Sequence, residues 1–316
     1  MDTLENIPVS KIDNSDLFRV ADLTEGERKQ FENFVALTRD LQEAHQLFEV
    51  FYFNLLNMRN VYEFKTSGKV IKKGCFPKYN NEFIAVNSLV ISLISSAKVL
   101  TEFLRQIADK PLNYGKTKEG KCKDEYNTYV SEIYDSCFSY RLLINLRNYV
   151  QHGYLPVSHQ KGYYRFDIEQ ILDTPHFEIN AQLKKDLDFF IVKMSEIKEE
   201  SGKLSLVYTL AEFTVNVVDI YKQFLVYIEQ SVSLSYDEIK KIIKDKPHIV
   251  CDYNEPFRGY VFYSIDDMGR CHTVNPNNNP IDMLDSYKER TSSIYKYEKN
   301  GFDDLKKSII IYDEKR

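Results

Sequence analysis

Apolar residues recur along this chain at the three- and four-residue spacing of helices far more often than at the two-residue spacing of strands. Thr24 followed three residues later by Glu27 predicts a capping box, in which each side chain satisfies the other's exposed backbone N–H. The helix it opens carries a face of Phe31, Phe34, Val35, Thr38, Leu41, His45, Phe48, Tyr52, Leu55 and Leu56. A second helix, about 81–109, is apolar almost all round at its middle, the pattern of a central element. A third is expected over about 122–152, with a stripe at Ile133, Cys137, Tyr140 and Ile144. Gly153 suits the left-handed residue that ends it, and Pro156 lies just beyond.

The stretch 156–179 breaks this rhythm. Its segment "GYYRFDIEQIL" is aromatic and partly alternating, which predicts a strand or an irregular excursion. Helical period returns at Leu183, Leu187, Phe190, Ile191, Met194 and Ile197, and again over about 204–231 after Ser201-Gly202. Ser235 and Glu238 read as a second capping box for a short helix that Pro247 closes. From about 248 the pattern fades. "RGYVFYSIDDMGRCHTVNPNNNP" predicts a hairpin with a polar loop, and one weak helix or strand falls near 303–312. The expected class is mainly α: a helical domain over 1–232 and a small C-terminal α+β region over 233–316.

Composition narrows the function classes. The 316 residues are 43% hydrophobic and 28% charged, as in soluble globular proteins. A net charge of −5 disfavours a whole-surface phosphate binder, so any nucleic-acid contact has to come from a local patch. The start "MDTLENIPVSKIDNSD" lacks the basic-then-apolar order of a signal peptide. The window "FIAVNSLVISLISSAKVLTEFL" is interrupted by Asn87, Lys98 and Glu102, and reads as a buried helix with no membrane role. Five cysteines without a CxxC pair point to reduced thiols in a cytoplasm.

The chemistry concentrates in "INLRNYVQHG", residues 144–153. Continued at helical period, the apolar stripe should reach 147 or 148 and then 151, yet these hold Arg147, Asn148 and Gln151, with His152 beside them. With 12 arginines and 6 histidines in the chain, a given Arg–His spacing arises by chance about 0.2 times. Allowing four to six intervening residues raises that to about 0.7, and in this wider window Arg39 and His45 in "RDLQEAH" make a second match, which lies inside a helix as an ordinary pair. At 147 the motif closes a helix and interrupts a buried stripe. Asn148 and His152 share a face, whereas Arg147 lies about 140° round from His152. One reading of these residues is structural: His152 complements the negative helix end and Arg147 makes an internal ion pair.

"LRNYVQHG" at the end of a buried helix resembles the HEPN superfamily, whose signature is an arginine, a polar residue and a histidine at this spacing. Arg147, Asn148 and His152 each match it. The resemblance is specific over about ten residues, and the helical stretch 26–231 is compatible with it. It implies either a metal-independent endoribonuclease of toxin–antitoxin, phage-defence or CRISPR-associated systems, or an inactive relative that binds RNA, nucleotide or a protein partner. An antitoxin or other regulatory partner is implied with the first.

The residue types suit the chemistry. Metal-free RNA cleavage turns the ribose 2′-OH on its own phosphate, which needs an acid/base group such as the His152 imidazole. It also needs a fixed cation on the phosphoryl oxygens, such as the Arg147 guanidinium, with Asn148 positioning. One histidine serves poorly as base and acid together, so a homodimer facing two helix ends across one seam is expected. No cofactor and no metal is implied.

Two lysine-rich stretches, "KTSGKVIKKGCFPK" and "KPLNYGKTKEGKCK", lie between predicted helices. Lys69, Lys72, Lys73, Lys116, Lys118 and Lys121 are candidates for an RNA backbone track, against the plainer reading of solvated loops. Lys98 and Glu102 are candidate auxiliaries on the central helix. "NYGKT" lacks the first glycine and preceding strand of a phosphate loop. His248, Cys251, Cys271 and His272 make a poor zinc set, because the adjacent Cys271 and His272 point oppositely in a strand.

Overall fold

Thr24 and Glu27 close the predicted reciprocal pair: the Thr24 N–H donates to Glu27 Oε2 at 2.7 Å, and the Glu27 N–H to Thr24 Oγ1 at 3.3 Å. They open helix α1 (Glu25–Val61) in the computed structural model, which describes residues 24–64, 70–72, 82–109, 121–160, 163–174, 181–196, 203–245, 262–265, 271–274 and 280–313. The described elements are mainly helical: α2 (Glu82–Asp109), α3 (Lys121–Ser136), α4 (Phe138–Gln151), α5 (Ile168–Leu172), α6 (Ala181–Glu196), α7 (Leu206–Asp245) and α8 (Pro280–Asp313). Three small antiparallel sheets accompany them: β1 (Tyr62–Phe64) with β2 (Val70–Lys72), then β3 (Val157–Gln160), β4 (Tyr163–Asp167) and β5 (Lys203–Ser205) in that order, and β6 (Phe262–Ile265) with β7 (Cys271–Val274). This is the expected mainly α chain with a small α+β appendage, and β6–β7 is the predicted hairpin, with Ile265 opposite Cys271.

Several boundaries differ from the expected ones. The single helix expected over 122–152 is two, broken at Cys137, whose extended backbone (φ −108°, ψ 106°) starts α4. Cys137 Sγ accepts from the Tyr140 N–H at 3.4 Å and from Asn216 Nδ2 at 3.2 Å, so a thiol does the work of an N-cap. Burial, with the Glu212 charge beside it, pushes that thiol up to about 11. The short helix expected at Ser235 does not begin there. Ser235 and Ile239 are buried inside α7, which runs unbroken past the expected domain boundary at 232. The lysine-rich stretch after 64 includes β2, paired with β1, where a plain loop was expected. The weak element near 303–312 is the end of a 34-residue helix, α8.

The chain divides into two compact units, and α1, α7 and α8 contribute to both. One comprises 1–43, 110–122 and 225–288. In it Phe34 of α1 stacks on Tyr236 of α7 at 6.3 Å, and Lys288 of α8 pairs with Glu229 of α7 at 2.5 Å.

The other unit comprises 44–109, 123–224 and 289–316, and is organised around α7. Tyr221 of α7 stacks on Phe48 of α1 at 4.2 Å. Asp219 accepts from the Tyr129 hydroxyl of α3, Glu212 from the Ser139 hydroxyl of α4, and Tyr208 meets Phe302 of α8. Aromatic side chains dominate these contacts because they cover large areas with few rotatable bonds. Helix α8 runs parallel to α1: Arg290 grips the Glu49 carboxylate, and Glu298 takes both arms of Arg59 at 2.8 and 2.6 Å. Helix α2 is long and apolar enough by composition to cross a membrane. Here Val86, Val90, Leu93, Ala97 and Leu104 are spent on the core, and Asn54 of α1 donates to Ser96 Oγ on it at 3.1 Å.

Candidate active site

Helix α4 is buried on nearly every side from Ser139 to Ile144. Only its last turn emerges, and there burial narrows to one line, Leu142, Leu146 and Tyr149, all fully enclosed. The predicted stripe of Ile133, Cys137, Tyr140 and Ile144 is buried as expected, but its continuation passes onto the emerging side of the helix. Arg147 is half-buried, and Asn148, Gln151 and His152 are exposed. The helix end is where polar side chains stop costing desolvation.

His152 is the C-cap residue, at φ −82° and ψ 7°. Its backbone N–H is shared between the Asn148 and Tyr149 carbonyls at 3.3 Å each, leaving the ring directed outward from the last turn. Gly153 follows at φ +87°, the left-handed conformation expected of it, and its N–H donates to the Val150 carbonyl at 2.9 Å. The chain therefore turns away immediately after the histidine. Tyr154 folds back to meet the fully buried Tyr149 ring at 5.2 Å.

Arg147 Nη1 donates to Gln151 Oε1 at 2.6 Å, one turn along the same helix. Among the described residues it makes no ion pair, so the internal-pair reading of Arg147 does not hold for them. A guanidinium has five N–H donors, and a single neutral partner leaves most of them for an anion. No described residue bonds the His152 ring.

The structurally committed arginine is another one. Arg141 is buried in α4, with Nε and Nη2 on Asp186 of α6 at 2.9 and 2.5 Å and Nη1 on the Tyr134 and Asp135 carbonyls. It ties the end of α3 and the side of α6 to the motif helix. Nothing in its local sequence announces that role, because both partners are set by tertiary packing. Asn87, read as an interruption of an apolar window, is likewise buried and joins α2 to the start of β3.

The remaining candidates divide. Lys98 and Glu102 pair with each other at 3.3 Å on α2. Lys69, Lys73, Lys116 and Lys118 lie outside the described residues, as do the side chains of Lys72 and Lys121. "NYGKT", His248 and Cys251 also lie outside them, and Cys271 and His272 are adjacent in β7. Arg39 and His45 sit within α1, where His45 bonds the Tyr221 hydroxyl at 3.1 Å.

No protein-family model, no curated protein and no solved structure matches the chain.

Proposed function

We propose that the chain is a metal-independent endoribonuclease of HEPN type, a cytoplasmic toxin or phage-defence effector that works as a homodimer. His152 is the acid/base group, Arg147 clamps the phosphate and Asn148 positions the substrate. An antitoxin or other partner would restrain it by covering the same helix end. The observation that carries the reading is the state of the last turn of α4: an exposed imidazole and a guanidinium bonded only to Gln151 among the described residues. A structural role would have drawn at least one of them into the core, as it did Arg141.

A single copy offers one imidazole. Two copies related by a two-fold axis at the helix ends supply a base and an acid on opposite sides of one phosphate, with two guanidinium groups for its developing charge. The competing reading is a non-catalytic adaptor that binds RNA, nucleotide or a protein through the same end. It draws on the lack of any described residue that orients the His152 ring within one chain.

Total RNA incubated with wild type and with His152→Ala, both in EDTA, separates the two. The nuclease reading expects cleavage by wild type alone, with 2′,3′-cyclic phosphate ends and with DNA and 2′-O-methyl substrates left whole. Loss of activity in chelator, or equal cutting of DNA, overturns that mechanism. Equal inertness of both proteins on every RNA moves the adaptor ahead.

A further inference from the structure

Strand pairing fixes which side chains of the β3–β4–β5 sheet share a face. Val157 lies opposite Phe166 and both are buried, which marks the inward face. Tyr164 is buried on the same side, with the His159 ring stacked on it at 4.4 Å. Alternation then puts Tyr163 and Arg165 together on the outward face. The Arg165 guanidinium lies over the Tyr163 ring at 5.4 Å, and both side chains are partly exposed.

Among the described residues, the cross-strand neighbours of Arg165 are small. Ser158 and Ser205 flank Arg165 across the ladder, so the side chains beside it are short. Arg165 forms no ion pair with a described residue, so its charge is not consumed within the sheet. Asp167, the acid on the same face, is occupied in capping α5 through the Gln170 N–H at 3.2 Å. What remains is a cationic, aromatic surface: a ring for a planar base and a guanidinium for a phosphate or a second base face.

We propose that this outward face, at Tyr163 and Arg165, is a stacking platform for an unpaired nucleotide of the RNA cut at Arg147 and His152. The proposal rests on the nuclease reading for its occupant. Charge favours a polyanion, and a partly exposed ring suits a splayed single-stranded base better than a duplex, whose bases are already stacked. The platform is also near the motif. Ser158, which faces Arg165 across the ladder, follows His152 by six residues, a separation of at most roughly 20 Å at ~3.3 Å per residue. A few nucleotides span that separation.

The test uses the full chain carrying His152→Ala, so that the probe is not cut, with a fluorescein-labelled 12-nucleotide single-stranded RNA read by anisotropy. Tyr163→Ala should weaken binding about 10-fold and Tyr163→Phe should leave it near wild type, as expected for stacking. Arg165→Gln should weaken binding and lower the log–log salt slope by about one unit. A 5-iodouridine version of the same RNA should photocrosslink at Tyr163 in the unsubstituted tyrosine background, which needs no destabilising variant. Crosslinks confined elsewhere, or unchanged affinity in both Tyr163→Ala and Arg165→Gln, overturn the platform. If wild type cuts RNA while these variants bind normally, the platform alone falls. If the variants lose binding but wild type never cuts, the nuclease reading falls and the platform stands.

Discussion

Asn87 hydrogen-bonds both backbone groups of Val157: its Nδ2 donates to the Val157 carbonyl and its Oδ1 accepts from the Val157 N–H, each at 3.0 Å. A side-chain amide on a buried helix thus stands in for a neighbouring strand at the start of β3, five residues after His152. Replacing Asn87 with Leu would keep the apolar volume and orphan two buried backbone groups. The expected cost is about 2–6 kcal/mol, from ~1–3 kcal/mol for each of the two unsatisfied groups. Urea unfolding of Asn87→Leu checks it; a loss under 1 kcal/mol would mean that water or a shifted strand restores those bonds.

The motif residues should separate by role. On the nuclease reading, His152→Ala lowers the cleavage rate by roughly 10²–10⁴ without lowering the melting temperature, because the ring is outside the core. Arg147→Ala should cost comparably and Arg147→Lys should recover only part, since an ammonium lacks the planar fork. Gln151→Ala should stay within a few-fold of wild type, because it removes only the neutral holder of Arg147. Single-turnover cleavage assays distinguish these. A Gln151→Ala as slow as Arg147→Ala would make the hydrogen bond itself part of the machinery.

Gly153→Ala isolates conformation from space. A Cβ at Gly153 would meet nothing within 4 Å, yet φ is +87°. The expected loss is about 1 kcal/mol, entirely backbone strain. Thermal melts measure it, and a neutral result would mean that the chain leaves α4 by another turn.

Acid should act on a second region. Burial pushes the His45 imidazole below its ordinary value, aided by Arg290 and opposed by Glu49; the Arg290 hydrogen bond holds Glu49 below the ordinary carboxylate value. Near its unfolded value of 6.5, His45 binds protons more readily unfolded than folded. Its contribution is therefore complete above that pH and fades as pH falls through the interval below it. Glu49, depressed, contributes above its unfolded value of 4.5 and loses that as pH falls further. Melting temperature should thus decline from about pH 6.5 downward. His45→Gln should flatten the first part of the decline, and Glu49→Gln the part below pH 4.5. A flat profile in wild type between pH 7 and 5 would contradict the His45 assignment.

The helical class, the first capping box, the Gly153 turn and the 262–274 hairpin were legible because each rests on local chemistry. The break at Cys137 was not. Ile133, Cys137, Tyr140 and Ile144 are all buried on both sides of it, so the hydrophobic phase runs through the interruption unchanged. Only the end of helix α8, near 303–312, read as an element, and a weak one; its earlier turns were not legible because their inward line includes the polar Thr291 and Glu298, the latter buried in company with Arg59. Ser235 and Glu238 show the converse, a start signal overridden where the flanking turns are already packed. At the motif, spacing gave the identities, whereas the freedom of Arg147 and the commitment of Arg141 follow only from what the fold places beside each.

The parallel pairing of α1 with α8 also bears on synthesis. Arg59 leaves the ribosome 239 residues before Glu298, and Glu49 leaves 241 before Arg290. At ~5–20 residues per second the first helix waits on the order of ten to fifty seconds for its partner. During that time the face of α1 that α8 will cover, Arg59 among it, stays open to solvent and to other nascent chains. Docking of α8 is therefore a late, long-range closure, and a chain halted before residue 290 would present that uncovered face to chaperones or proteases.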